Sequence, residues 1–308
     1  PYVGCAFVCA YCYARYAHRY VAERLAASDS SSGEAHDELS ELPPWLAFER
    51  RIFVKREAGA VLRRELRRPA RYHALHRETV VIGTATDPYQ PAERRFRITR
   101  GVLETLAEQQ GLSVTIITKS PLVTRDVDLL LRIAARSRLS VHVSLITTDR
   151  DLARRLEPRA PTPEARLRAI ARLRAHGIEV GVNVMPVLPG ITDAPHLLDA
   201  LVRAVAEAKA SYLGACALRL QSAARQRYLP FIEAEFPELA SRYRSTYGRS
   251  VQAGERYRQG LRDHFRALCA SHGVVFDRYY KTEDDEAESA EDGSASARAT
   301  TLQLSLSL

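Results

Sequence analysis

Residues 80–91 read Val80-Val81-Ile82-Gly83-Thr84-Ala85-Thr86-Asp87-Pro88-Tyr89-Gln90-Pro91. The β-branched opening, Val80–Gly83, has no polar alternation, so it reads as a strand buried on both faces. Thr84–Pro91 is turn chemistry stiffened by two prolines. A helix follows over Thr99–Gln110 and is closed by Gly111. The same unit recurs downstream. Val114–Thr118 precedes a helix over Asp126–Ser137, and Val141–Leu145 precedes a long loop and a helix over Pro163–His176, stopped by Gly177. Val180–Met185 precedes a helix over Ala194–Lys209, and Tyr212–Leu220 is the last strand. Upstream, Ile52–Lys55 is a short strand candidate and Ala58–Arg67 a helix. Apolar strands joined by helical crossovers predict an α/β fold with a parallel sheet. Five or six such units predict a partial or full (β/α) barrel, with working residues on the loops at the strands' C-terminal ends.

Three regions surround or interrupt this core, which is expected over 1–222. Residues 27–42 are small and polar and read as a disordered insert. Residues 223–280 are Arg/Tyr-rich and read as a helical C-terminal extension, and 281–308 as a disordered, acidic, low-complexity tail. The chain has 308 residues, 46% of them hydrophobic, enough for a sizeable core. No run of apolar residues is long enough for a transmembrane helix, and no secretory signal is visible. The first residue is Pro1, which suggests a trimmed product lacking some N-terminal sequence and the strand that should precede the cysteines. The formal charge is +8, more basic still without the tail. That balance is compatible with a DNA or RNA partner and equally with plain solubility.

Three of the five cysteines fall within eight residues, in Gly4-Cys5-Ala6-Phe7-Val8-Cys9-Ala10-Tyr11-Cys12-Tyr13. Such clustering is wrong for a disulfide framework and points to a metal site in a reducing, cytoplasmic compartment. Thiolates suit iron–sulfur clusters and zinc. A [4Fe–4S] cluster usually takes four cysteines. With three, one iron is left open for a substrate or cofactor. Zinc completed by His18 or a distant cysteine remains the alternative. Of the other two, Cys216 reads as buried on the last strand, and Cys269 stands alone.

Polar residues cluster at the strand exits. Thr84, Thr86 and Asp87 follow the first quoted strand, and Lys119 and Ser120 follow Val114–Thr118. Ser144 interrupts an apolar strand and must find a hydrogen-bond partner. Glu157-Pro158-Arg159 precedes a helix N-capped by Thr162, where a Glu–Arg lock within the loop is as good a reading as ligand contact. Asn183 is a further polar candidate.

Taken in order, GCAFVCAYCYAR, GTATDPYQPAERRFRITRGVLETL, ITKSPLVTRDVDLL and LEPRAPTPEARLRAIARLRAHGIEVGVNVMPVLPGITD resemble the radical S-adenosylmethionine (SAM) superfamily. More narrowly they resemble its spore photoproduct lyase-related, DNA repair photolyase-like group, over roughly residues 1–260. The resemblance implies a [4Fe–4S] cluster on Cys5, Cys9 and Cys12, with Tyr11 as the aromatic residue before the last ligand. It implies SAM chelated by the open iron and cleaved reductively to a 5′-deoxyadenosyl radical. An external one-electron reductant of flavodoxin or ferredoxin type is implied as partner. For SAM binding it points to Tyr11, Tyr13, Thr84, Asp87, Lys119, Ser144 and Glu157, with the stiff Pro186–Gly190 loop under the adenine. The family's lyase carries a hydrogen-donating cysteine just before the matching Asp. This chain has none across Gly83–Asp87, so the resemblance does not carry spore photoproduct repair across. The competing reading is a non-catalytic zinc- or cluster-stabilised nucleic-acid-binding protein.

Overall fold

The computed structural model describes residues 1–17 and 42–276. His18, all but the last residue of the 27–42 insert, and the 281–308 tail lie outside the described residues. Two short strands, β1 (Tyr2–Val3) and β2 (Phe53–Val54), pair antiparallel with Tyr2 opposite Val54. The main sheet holds β3 (Thr79–Ile82), β4 (Ser113–Thr118), β5 (Arg138–Ser144), β6 (Glu179–Val187) and β7 (Tyr212–Ala217). They lie side by side in sequence order, all parallel. This is the α/β, partial-barrel architecture that the repeated strand–helix pattern predicts. Val141, Val143, Val180, Val182 and Val184 are fully or almost fully buried, because helices cover the central strands. Val81, on edge strand β3, is exposed.

The helices are α1 (Pro44–Arg50), α2 (Ala58–Leu66), α3 (Pro69–Arg77), α4 (Ala92–Phe96), α5 (Ile98–Ala107) and α6 (Val127–Ala134). They continue with α7 (Arg150–Leu156), α8 (Pro163–Ala175), α9 (Pro195–Glu207), α10 (Ser222–Glu235), α11 (Pro237–Tyr247) and α12 (Glu255–His272). Four of these, α1, α3, α4 and α7, depart from the sequence reading. Helix α3 starts at Pro69, whose missing N–H costs nothing in the first turn. Arg97 adopts φ 51°, which breaks a helical run into α4 and α5. The stretch read as a long loop after β5 contains α7, whose N-cap Asp149 accepts from the Asp151 and Leu152 N–H groups. The last strand ends at Ala217 rather than Leu220. Ahead of the cysteines the chain forms β1, which pairs with β2 and stands outside the parallel sheet.

Two apolar clusters divide the interior. One lies between the sheet and its helices. The other joins the cysteine segment, through Cys5, Phe7, Cys9 and Tyr11, to Leu188, Leu218, Tyr228, Ile232 and Tyr243. Helix α10 thus packs against the turn Tyr13–Tyr16 that follows the cysteines, and α11 packs on α10. Gly83 ends β3 at φ 115°, and a Cβ there would lie 2.1 Å from the Ile117 carbonyl oxygen. Only glycine lets the chain turn this close to β4. Among the described residues no helix is long and apolar enough to cross a membrane.

Candidate active site

The cysteine segment has little regular structure of its own, so its shape is imposed from outside. Cys5 N–H donates to the Phe48 carbonyl at 3.0 Å, and Ala10 N–H to that of Leu156 at 3.0 Å. Arg159 N–H donates to the Phe7 carbonyl at 3.3 Å. Buried Arg15 donates to the carbonyls of Cys9 at 2.9 Å and Trp45 at 2.8 Å, and pairs with Glu49 at 2.7 Å. These bonds hold Val8 at φ 58°, a left-handed conformation that a β-branched residue adopts only under constraint.

All three thiols line one cavity of about 490 Å³ at the C-terminal ends of the strands. Tyr11, Tyr13, Thr84, Asp87, Lys119 and Ser144 line it as well, together with Thr86 and Asn183. Asp87 is fixed by three donors: Thr118 Oγ1 at 2.7 Å, Lys119 N at 2.7 Å and Tyr89 N at 2.9 Å. Burial still lifts its pKa above the ordinary carboxylate value, against the pull of those bonds. Tyr13 is exposed at the rim and donates to the Thr84 carbonyl at 2.5 Å.

Glu157 does not line this cavity. It stands behind the wall, where its carboxylate accepts from the Tyr11 hydroxyl and pairs with buried Arg166. Lys119 Nζ lies 3.8 Å from its Oε1 and 5.7 Å from the Tyr11 ring centre. Burial opposes the charge on Glu157, but Arg166, Lys119 and the two hydrogen bonds outweigh it and hold the carboxyl below its ordinary value. Burial likewise opposes the charge on Lys119, yet Cys9 and Glu157 hold its pKa above the ordinary value. The Glu–Arg lock is therefore present, and it orients two cavity residues, Tyr11 and Lys119.

Ser144 is buried, and its hydroxyl makes no hydrogen bond among the described residues. Ser144 lines the cavity, where its hydroxyl can meet a polar ligand. Asn183 sits opposite Ser144 in the β5–β6 register. Its Oδ1 lies 3.2 Å from His142 Nδ1, and His142 Nε2 lies 2.6 Å from the Tyr212 hydroxyl.

Sequence reasoning missed the wall made by the exit of β7. Cys216 was read as buried; it is exposed and lines the cavity with Arg219 and Gln221. At Cys216 the strand leaves the covered part of the sheet, and no periodicity announces that. Cys269 is buried on α12.

The three thiols are a donor set that a cluster could use. Among the described residues no three His, Cys, Asp or Glu side chains are placed to hold one metal ion. Yet the three thiols share a cavity wall, and Cys5 and Cys9 both feel the charge of Cys12. Burial pushes the Cys5 thiol up to about 12 and Cys9 and Cys12 upward too. Iron would have to displace those protons on binding.

The radical SAM superfamily model matches residues 1–201. The chain belongs to the radical SAM superfamily. Uncharacterized proteins of Mycobacterium bovis and Mycobacterium tuberculosis are each 37% identical to it over 276 residues, covering 90% of this chain and 74% of theirs. An uncharacterized protein of Methanocaldococcus jannaschii is 25% identical over 197 residues, covering 64% of this chain and 62% of its own. Among solved structures, a spore photoproduct lyase variant with bound AdoMet and dinucleoside spore photoproduct superposes with a TM-score of 0.59 at 15% identity. That match covers 91% of this chain and 75% of the other and establishes a shared radical SAM fold.

Proposed function

We propose that this radical SAM protein is an enzyme that holds a [4Fe–4S] cluster on Cys5, Cys9 and Cys12 and binds SAM beside it. One observation carries the reading: three thiols line the same cavity as Ser144, Asp87 and Lys119. When bound, the group supplies one-electron reductive cleavage of SAM to a 5′-deoxyadenosyl radical, fed by a flavodoxin- or ferredoxin-type reductant.

The chain's own residues bind and orient. Lys119 offers an ammonium, held by Glu157, to an anionic ligand group such as a carboxylate. Ser144 offers a hydroxyl at the cavity wall. Thr84 and Asp87 form the polar wall at the β3 exit, and Tyr11 and Tyr13 supply aromatic surface. Cys5 and Cys9 belong to an apolar cluster that α10 and α11 help to build. The charge of +8 is compatible with DNA or RNA as the substrate class, to be checked as salt-dependent binding by the loaded protein.

The test is anaerobic purification or reconstitution, followed by SAM and dithionite. About four irons per chain and formation of 5′-deoxyadenosine are expected, both lost in Cys5→Ala, Cys9→Ala and Cys12→Ala. A colourless protein carrying only zinc would overturn the reading. Iron without 5′-deoxyadenosine would leave a cluster-bearing scaffold in its place.

A further inference from the structure

We propose that Gln90 is the positioning residue that sets the Cys5 thiol toward the cluster. The proposal rests on the cluster reading above and names a device within it. Gln90 is fully buried. Its Nε2 donates to the Gly4 carbonyl at 3.0 Å and to Thr86 Oγ1 at 3.1 Å, and its Oε1 accepts from Ala6 N–H at 3.0 Å. The Gly4 carbonyl belongs to the peptide group before Cys5, and the Ala6 N–H to the one after it. One planar amide therefore grips both peptide planes that meet at the Cys5 α-carbon. Those planes define φ and ψ of Cys5, and with them the direction of its Cα–Cβ bond.

The amide's orientation follows from its partners, since the Gly4 carbonyl can only accept and the Ala6 N–H can only donate. Gln90 is itself anchored in the turn bounded by Pro88 and Pro91. Its N–H donates to the Asp87 carbonyl at 3.4 Å, and its carbonyl accepts from Glu93 N–H at 2.9 Å. The same turn reaches this peptide once more, through the Thr86 hydroxyl on the Gly4 carbonyl. The segment it grips lies between Gly4 at φ 87° and Val8 at φ 58°, backbone that does not hold this shape unaided. No other natural side chain of this length offers a donor and an acceptor on one plane. Leucine offers neither, and glutamate ordinarily offers only the acceptor.

The test compares wild type, Gln90→Leu and Gln90→Glu after identical anaerobic reconstitution. It reads iron loss to a chelator and the electron paramagnetic resonance signal of the reduced protein. Removing groups that orient metal ligands commonly costs 10–100-fold in metal affinity. Gln90→Leu is therefore expected to lose iron at least about tenfold faster, with altered g-values. Gln90→Glu should fall between it and wild type because it keeps the bond to Ala6 N–H. A merely structural role would lower thermal stability without moving the g-values of the cluster that remains. Wild-type kinetics and g-values in Gln90→Leu overturn the inference. If Gln90→Leu does not fold, wild-type behaviour in Gln90→Glu does so. A wild type that binds no iron overturns the cluster reading, and this inference with it.

Discussion

Glu157 receives the hydroxyl of Tyr11 on one oxygen and the guanidinium of Arg166 on the other. One buried carboxylate thus joins a residue inside the cysteine motif to a helix of the partial barrel. Lys119, 3.8 Å away, adds the cation at the exit of β4.

Removing that carboxylate should be costly. Glu157→Ala leaves Arg166 buried and unpaired, and breaking such a pair typically costs roughly 3–5 kcal/mol. Glu157→Gln keeps an acceptor for Tyr11 and should cost less. Equilibrium urea unfolding followed by circular dichroism measures both. A loss under about 1 kcal/mol in Glu157→Ala, the range of a surface pair, would mean that the lock does not organise the site.

Thiol labelling distinguishes the two remaining cysteines. Cys216 is exposed in the cavity wall, whereas Cys269 is buried with its thiol pushed up to about 12 by burial. Maleimide should modify Cys216 first, because the thiolate is the nucleophile and access controls its reaction. SAM bound in the same cavity should slow the labelling. Mass spectrometry of limited-time digests reads both effects, and preferential modification of Cys269 would contradict the placement of β7.

His142 gives a pH dependence with a definite sign. Burial lowers its pKa to about 4, against a hydrogen bond with Asn183 that works the other way. The folded chain therefore keeps the ring neutral while the unfolded chain protonates it near 6.5. Below that point the unfolded state binds the extra proton, so this contribution to stability is present above pH 6.5 and is lost as pH falls toward 4. The full loss is roughly 3 kcal/mol. The stability difference between wild type and His142→Asn, from urea midpoints at pH 7 and pH 5, should shrink at the lower pH. A difference that stays constant would place the ring in a more solvated setting.

Much of the active-site region is legible one residue type at a time. A run such as Val80-Val81-Ile82 is apolar on every side chain, and Gly83 follows where β4 leaves no room for a Cβ. Thr84, Asp87, Lys119 and Ser144 are polar residues at the ends of such runs, so the strand rule alone brings them to one rim. Glu157 was legible as a lock but not as standing behind the cavity, because its partners Tyr11 and Arg166 lie on separate segments. Gln90 carries no local signal at all: its meaning lies 84 and 86 residues away, at Ala6 and Gly4.

The sequence by itself determined the parallel strand–helix repeat, the three-thiol motif and the polar rim, since each follows from periodicity or short spacing along the chain. Tertiary structure decided which of those groups face one another. It placed Cys216 in the cavity wall, put Glu157 behind Tyr11 and Lys119, and closed Gln90 around Cys5. These are contacts between distant segments, fixed by strand order and by how helices cover the sheet, and no local pattern encodes them.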